Sequence, residues 1–103
     1  MAKLRPGGRL RSAVCQTQVM VIAAPADDVE VTCGGVPMVD LADEPPAGAR
    51  IAPDAKGGAL IGKRYVNAAG DLELLCTRPG EGTLAAGGET LRFKEAKALP
   101  SSD

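Results

Sequence analysis

Val29-Glu30-Val31-Thr32-Cys33-Gly34-Gly35-Val36-Pro37-Met38 is the stretch on which the fold turns. Its first five residues alternate in polarity, a Gly-Gly pair reverses the chain, and an extended segment returns, which is the pattern of a β-hairpin. Pro37 cannot donate to a ladder, so the return segment Val36 to Leu41 is expected at a sheet edge. The pattern recurs. Laying Val19 to Leu41 over Leu72 to Lys94 needs no gap. Val19, Val21 and Ile22 then fall on Leu72, Leu74 and Leu75, Asp28 on Glu81, Val31 on Leu84, Gly34-Gly35 on Gly87-Gly88, and Met38 on Leu91. Duplication of one hairpin unit is the preferred explanation.

Working outward, Gly and Pro cut the rest of the chain into runs too short for helices, and the runs are rich in Val, Leu and Ile. Ala13 to Ile22 reads as one long strand or two strands meeting at a bend. Pro25-Ala26-Asp27-Asp28 supplies turn chemistry, and Val29 to Cys33 is expected to pair back onto the preceding strand. Strands resume over Ala59 to Val66 and Leu72 to Cys76, with turns at Asn67 to Asp71 and Pro79 to Gly82. Lys94 to Leu99 reads as a single helical turn that Pro100 ends. The expected class is all-β, with two similar β-hairpin units packed as a small sandwich or a partly open barrel. The expected division is a basic flexible tail over 1–11, a first unit over 12–44, a Pro/Gly-rich connector over 45–58, a second unit over 59–99 and a tail over 100–103, with 12–99 as one domain.

Composition narrows the function classes. A chain of 103 residues with one Tyr, one Phe and no Trp has a modest core poor in large side chains. A metal or a dimer contact would add to its stability. Lys and Arg number 12 against 13 Asp and Glu, for a net charge of −1, which argues against nucleic acid as a partner. Lys3, Arg5, Arg9 and Arg11 form a local basic run, read as a solvated tail. No apolar run reaches the roughly 18 residues of a membrane span or makes a signal peptide, so a cytoplasmic chain is expected. The absence of His removes Cys-His and Ser-His nucleophile pairs and imidazole metal ligands. Acid-base chemistry is left to Cys, Lys and carboxylates whose pKa values are shifted by burial or neighbours.

Three cysteines, Cys15, Cys33 and Cys76, carry the remaining chemistry. They are either thiolate ligands or small buried hydrophobes. Val31-Thr32-Cys33-Gly34-Gly35-Val36-Pro37-Met38 resembles the second metal knuckle of the desulforedoxin and desulfoferrodoxin families, where a Cys-Cys-Gly-x-x-Met pattern follows a short strand. Cys33 holds the first cysteine place, and Gly34 replaces the second. Gly80-Glu81-Gly82-Thr83-Leu84 and Gly88-Glu89-Thr90-Leu91 resemble the same frame, with Ala86 and Gly87 at the cysteine places. Upstream, where the family has a Cys-x-x-Cys knuckle, Cys15-Gln16-Thr17-Gln18 keeps the first cysteine and has Gln at the fourth place. The resemblance implies thiolate-bound iron or zinc with Cys33 as first ligand, Cys15 as second and Cys76 as third. Since a tetrahedral site takes four ligands, three completions stay open: all three cysteines with an oxygen, two thiolates from each subunit of a homodimer, or ligands from a protein partner.

Other clusters are accounted for as surface. Gly80-Glu81-Gly82 lacks the helix and Lys-Ser/Thr pair of a phosphate loop. Asp27, Asp28, Asp40, Asp43 and Glu44 lack calcium-loop spacing, and Lys63-Arg64-Tyr65 reads as a strand rim. The leading expectation is a non-catalytic accessory or interaction module derived from a metal-knuckle hairpin. The alternatives are an electron-transfer protein with thiolate-ligated iron and a small-ligand enzyme using Cys33 or Cys76 as nucleophile.

Overall fold

The computed structural model describes residues 4–25, 29–45 and 48–94. All regular elements among them are strands of at most six residues. They are β1 (Arg9–Arg11), β2 (Gln18–Ala23), β3 (Val31–Cys33), β4 (Val36–Pro37), β5 (Val39–Asp40), β6 (Arg64–Val66), β7 (Glu73–Arg78), β8 (Leu84–Ala86), β9 (Glu89–Thr90) and β10 (Arg92–Phe93). They make two antiparallel sheets, β10-β6-β7-β2-β1-β5 and β4-β3-β8-β9, packed together without closing into a barrel. The chain is all-β, as the alternation predicts, and β4 with its Pro37 lies at an edge.

The strand order is palindromic once the repeats are matched. β8, β9 and β10 begin 53 residues after β3, β4 and β5 (31 to 84, 36 to 89, 39 to 92), which is the gapless offset read from the sequence. β6 and β7 begin 55 residues after β1 and β2 (9 to 64, 18 to 73), because residues 24–30 link β2 to β3 while only residues 79–83 link β7 to β8. The gapless alignment is therefore two residues out for the first strands: Val19 matches Leu74 and Val21 matches Cys76. The hydrogen bonds repeat too. The N–H of Gly34 reaches the Thr83 carbonyl at 3.1 Å while that of Gly87 reaches the Glu30 carbonyl at 3.0 Å, and Met38 to Val31 repeats as Leu91 to Leu84. Matched positions are buried together, as in Leu10 and Tyr65, Val31 and Leu84, Cys33 and Ala86, Met38 and Leu91.

The units do not each form one layer. β2 pairs with β7 and β3 with β8, so both sheets are built from both units. Val29 to Cys33 thus does not pair back onto β2; residues 24–30 carry the chain into the other sheet. Alternation says which side chains are buried but not which strand lies alongside. Three further boundaries move. Arg9–Arg11 belongs to the sheet, because Leu10 between the two arginines is buried in the core. Ser12 to Thr17 is a turn and the strand starts at Gln18, because the Ser12 hydroxyl captures the N–H groups of Val14 and Cys15. The connector lies on the fold: the Ala52 N–H bonds the Gly34 carbonyl, the Thr83 N–H the Ala55 carbonyl, and the Gly58 N–H the Glu81 carbonyl. Residues 26–28 of the expected turn, and 95–99 of the expected helical turn, lie outside the described residues.

Candidate functional site

The site grows from the Ser12 turn. With one lone pair for each N–H, Ser12 Oγ accepts from Val14 at 3.0 Å and Cys15 at 3.1 Å, which folds Cys15 back over the start of β2. Cys15 Sγ then lies 3.3 Å from Ser12 Oγ, 3.2 Å from Thr17 Oγ1 and 3.6 Å from Cys33 Sγ at the end of β3. Ser12, Thr17 and Cys33 are buried, and Cys15 is partly exposed. The turn over residues 79–82 closes the cluster. A Cβ on Gly80 would stand 2.1 Å from Thr17 Oγ1, and one on Gly82 would stand 2.5 Å from Cys33 Sγ. Only glycine lets this backbone lie directly on the sulfurs and hydroxyls.

The two thiols are driven apart in acidity. Burial opposes ionisation of Cys15, but the hydroxyls of Ser12 and Thr17, and then the backbone N–H groups of Thr17 and Gly82, outweigh it and bring the thiol down to about 7. The Cys15 thiol donates to Ser12 Oγ, and between Cys15 Sγ and Thr17 Oγ1 either atom can be the donor. At Cys33 burial is the largest effect and, with the neighbouring Cys15 charge, pushes the thiol up to about 11 against the same hydroxyls. Two clefts open at Cys15. One, of 430 Å³, runs beside Gln16, Pro79 and Glu81. The other, of 200 Å³, is flanked by the guanidinium-bearing residues Arg11 and Arg78 with no acid in its lining. A larger hollow along β1 and β5 is lined by Asp40 and two arginines and holds no Cys, Ser, Thr or Lys.

Cys15 and Cys33 are thus brought together, and Cys76 is not. It occupies the place of Val21 in β7, is buried, and its thiol donates to the Arg78 carbonyl at 3.0 Å. Burial pushes that thiol up. The four-residue frame that the structure builds is Ser12-Ala13-Val14-Cys15, three residues upstream of Cys15-Gln16-Thr17-Gln18; Gln18 lies in β2 opposite Arg11 and Arg78. Ser12, Thr17, Gly80 and Gly82 are the site residues that sequence reasoning passed over. The Ser-x-x-Cys spacing was the one signal for Ser12; Thr17 and the glycines are joined to the cysteines by tertiary contact alone.

A four-thiolate iron or zinc does not fit these residues. The 3.6 Å separation suits two corners of such a tetrahedron, whose edge is about 3.8 Å for metal–sulfur bonds of about 2.3 Å. The side chains hydrogen-bonded to Cys15 beside this pair are the neutral hydroxyls of Ser12 and Thr17. Gly34, at φ +67°, offers no fourth place either: a Cβ there would meet Ile51 at 2.7 Å and Val14 at 2.8 Å. Cys33 has no exposed surface and lies beneath Gly82, so sharing an ion between subunits requires the 79–82 turn to move. Among the described residues no group of three or more Cys, Asp or Glu side chains converges, and no helix is long and apolar enough to cross a membrane. Compared with protein-family models, curated proteins and solved structures, the chain matches none of them.

Proposed function

We propose that the chain is a small non-catalytic accessory or interaction module, a duplicated hairpin of the desulforedoxin-like knuckle type in which the metal centre has been reduced to a thiol pair. The observation that carries this reading is the asymmetry inside a symmetric fold. The first unit keeps Ser12, Cys15, Thr17 and Cys33 together, while the matched positions of the second are Asn67, Gly70, Leu72 and Ala86. Where Ser12 Oγ holds the first turn, Asn67 Oδ1 holds the second by accepting from Gly70 at 2.9 Å and Leu72 at 3.2 Å. The turn persists without a ligand, so the hairpin does not depend on a metal for its shape.

Association is supported by the exposed Leu60 and Ile61 between Ala59 and β6, and by the open edges of both sheets, which accept a strand from a second copy or from another protein. Metal analysis of protein purified without chelator, with native mass measurement, tests the proposal. Substoichiometric iron and zinc in a self-associating or partner-bound chain are expected. A full equivalent of tightly held metal that disappears in Cys33→Ser would return the metal-centre reading, with Cys33 as its ligand.

A further inference from the structure

We propose that Cys15 and Cys33 form a dithiol–disulfide couple that exchanges with small anionic disulfides, Cys15 as the attacking sulfur and Cys33 as the resolving one. This goes beyond the module reading and does not depend on it. The argument is geometric. The two sulfurs stand 3.6 Å apart on chain segments far apart in sequence, and among the described residues no third Cys, Asp or Glu joins them in a metal-binding group. A disulfide of about 2.05 Å requires these two sulfurs to close from 3.6 Å. Only Cys15 meets the clefts, so an external disulfide reaches that sulfur first, while Cys33 waits behind it with no exposed surface.

The chemistry balances without a cofactor. The Cys15 thiolate attacks one sulfur of the disulfide RSSR, the mixed disulfide Cys15–S–S–R forms, and RS⁻ leaves and takes a proton from water. Capping Cys15 removes a negative charge from beside Cys33, which eases ionisation of a thiol that burial disfavours. Cys33 gives up its proton to solvent, its thiolate attacks Cys15 Sγ, and the second RS⁻ leaves and is protonated. The protein dithiol loses two electrons and RSSR gains them, yielding two RSH. The hydroxyls of Ser12 and Thr17 beside Cys15 Sγ, which favour its ionised form, also favour it as the leaving group in the reverse reaction, so the couple runs both ways. Approach to Cys15 through the smaller cleft, between Arg11 and Arg78 and with no acid in its lining, selects a disulfide carrying carboxylates over a cationic one, while Glu81 lines the larger cleft.

The test uses the full chain and two probes of opposite charge, oxidised glutathione and cystamine, read by mass and thiol count. Wild type treated with oxidised glutathione is expected to lose two thiols and the mass of two hydrogens, with peptide mapping joining Cys15 to Cys33. Cys33→Ala, which installs the residue found at the matched Ala86, is expected to stop as a stable mixed disulfide on Cys15. Cys15→Ser is expected to keep both remaining thiols, and Cys76→Val, which installs the residue found at the matched Val21, to behave as wild type. Oxidised glutathione is expected to react roughly tenfold faster than cystamine at low salt, with the gap closing as salt rises. A bond mapped to Cys76, a stable mixed disulfide in wild type, or Cys33→Ala that keeps a strand-rich circular dichroism spectrum yet gains no glutathione would overturn the couple. Equal or faster reaction with cystamine would overturn the anionic preference. Bound metal in the wild type, by contrast, bears on the module reading and not on this exchange measured in the metal-free chain.

Discussion

The two halves of this molecule share a backbone and differ in what fills it. Both start with a turn held by a side-chain oxygen, Ser12 in one and Asn67 in the other, and both place a strand of six residues at the centre of the larger sheet. Past that turn the first half buries Thr17 where the second buries Leu72, and Cys33 where the second buries Ala86. A buried hydroxyl costs free energy unless it is hydrogen-bonded, and Thr17 has its partner in the Cys15 thiol. The hydroxyls and thiols of the first half therefore satisfy one another. The second half has Glu73 as its buried polar group, carried by the ammonium of Lys94 at 2.9 Å and the guanidinium of Arg64 at 3.3 Å. The latter is close enough to pair in charge but not aligned as a hydrogen bond. The comparison teaches that the hairpin frame tolerates an apolar or a polar interior, with the thiol pair on one side only.

The largest expected effect lies where the second half covers the thiols of the first. Gly82→Ala puts a methyl 2.5 Å from Cys33 Sγ and 2.7 Å from the Gly34 backbone N. Because backbone must move, a stability loss of about 3 kcal/mol is expected in denaturant unfolding. Gly88→Ala, at φ +83° with open space around it, pays backbone strain alone, about 1 kcal/mol. Equal losses would mean that the turn does not rest on the sulfur.

Transplanting a residue from the second half sharpens the comparison further. Thr17→Leu copies Leu72 into a position that Gly80 crowds, so a loss of about 2 kcal/mol from overpacking is expected. Removing that hydroxyl also takes away a hydrogen bond holding the Cys15 thiol near 7, and alkylation of Cys15 should shift to higher pH. A Thr17→Leu protein as stable as wild type, with an unmoved Cys15 profile, would show that the two interiors are interchangeable.

Ser12→Ala leaves the N–H groups of Val14 and Cys15 without their acceptor, at a cost of about 1 kcal/mol. Ser12→Asn, copying Asn67, is expected to recover most of it. If alanine and asparagine behaved alike, the side-chain oxygen would not be what holds either turn.

The smallest effect is a pH dependence of stability confined to the thiols. Cys15 is lowered from its ordinary 9.0 to about 7, so its contribution is present above 9 and lost as pH falls through 7. Cys33 is raised from 9.0 to about 11, so its contribution is present below 9 and lost as pH rises through 11. Stability should therefore rise between 7 and 9 and fall beyond. Urea midpoints for wild type, Cys15→Ser and Cys33→Ala check this: the rise should vanish in the first variant and the fall should shrink in the second, with Cys76, whose thiol burial also pushes up, carrying the remainder.

The sequence by itself determined that the chain is all-β and duplicated. Val29 to Met38 and its copy 53 residues on carry β-forming runs and Gly-Gly turns, and the first also carries an edge proline; each is a local property written in adjacent residues. It also put forward Cys33, Cys15 and Cys76, in that order, as candidate ligands. Only the tertiary structure decided that the units share both sheets, that the frame begins at Ser12, and that Cys76 stands in for Val21. Strand partners are chosen by burial across the whole core, which no window of sequence contains, and a two-residue difference between the links at 24–30 and 79–83 is invisible to a gapless overlay. The pairing of Cys15 with Cys33 beneath Gly80 and Gly82 is likewise nonlocal. It joins three segments whose only common property is that the packed sheets hold them within a few ångströms of one another.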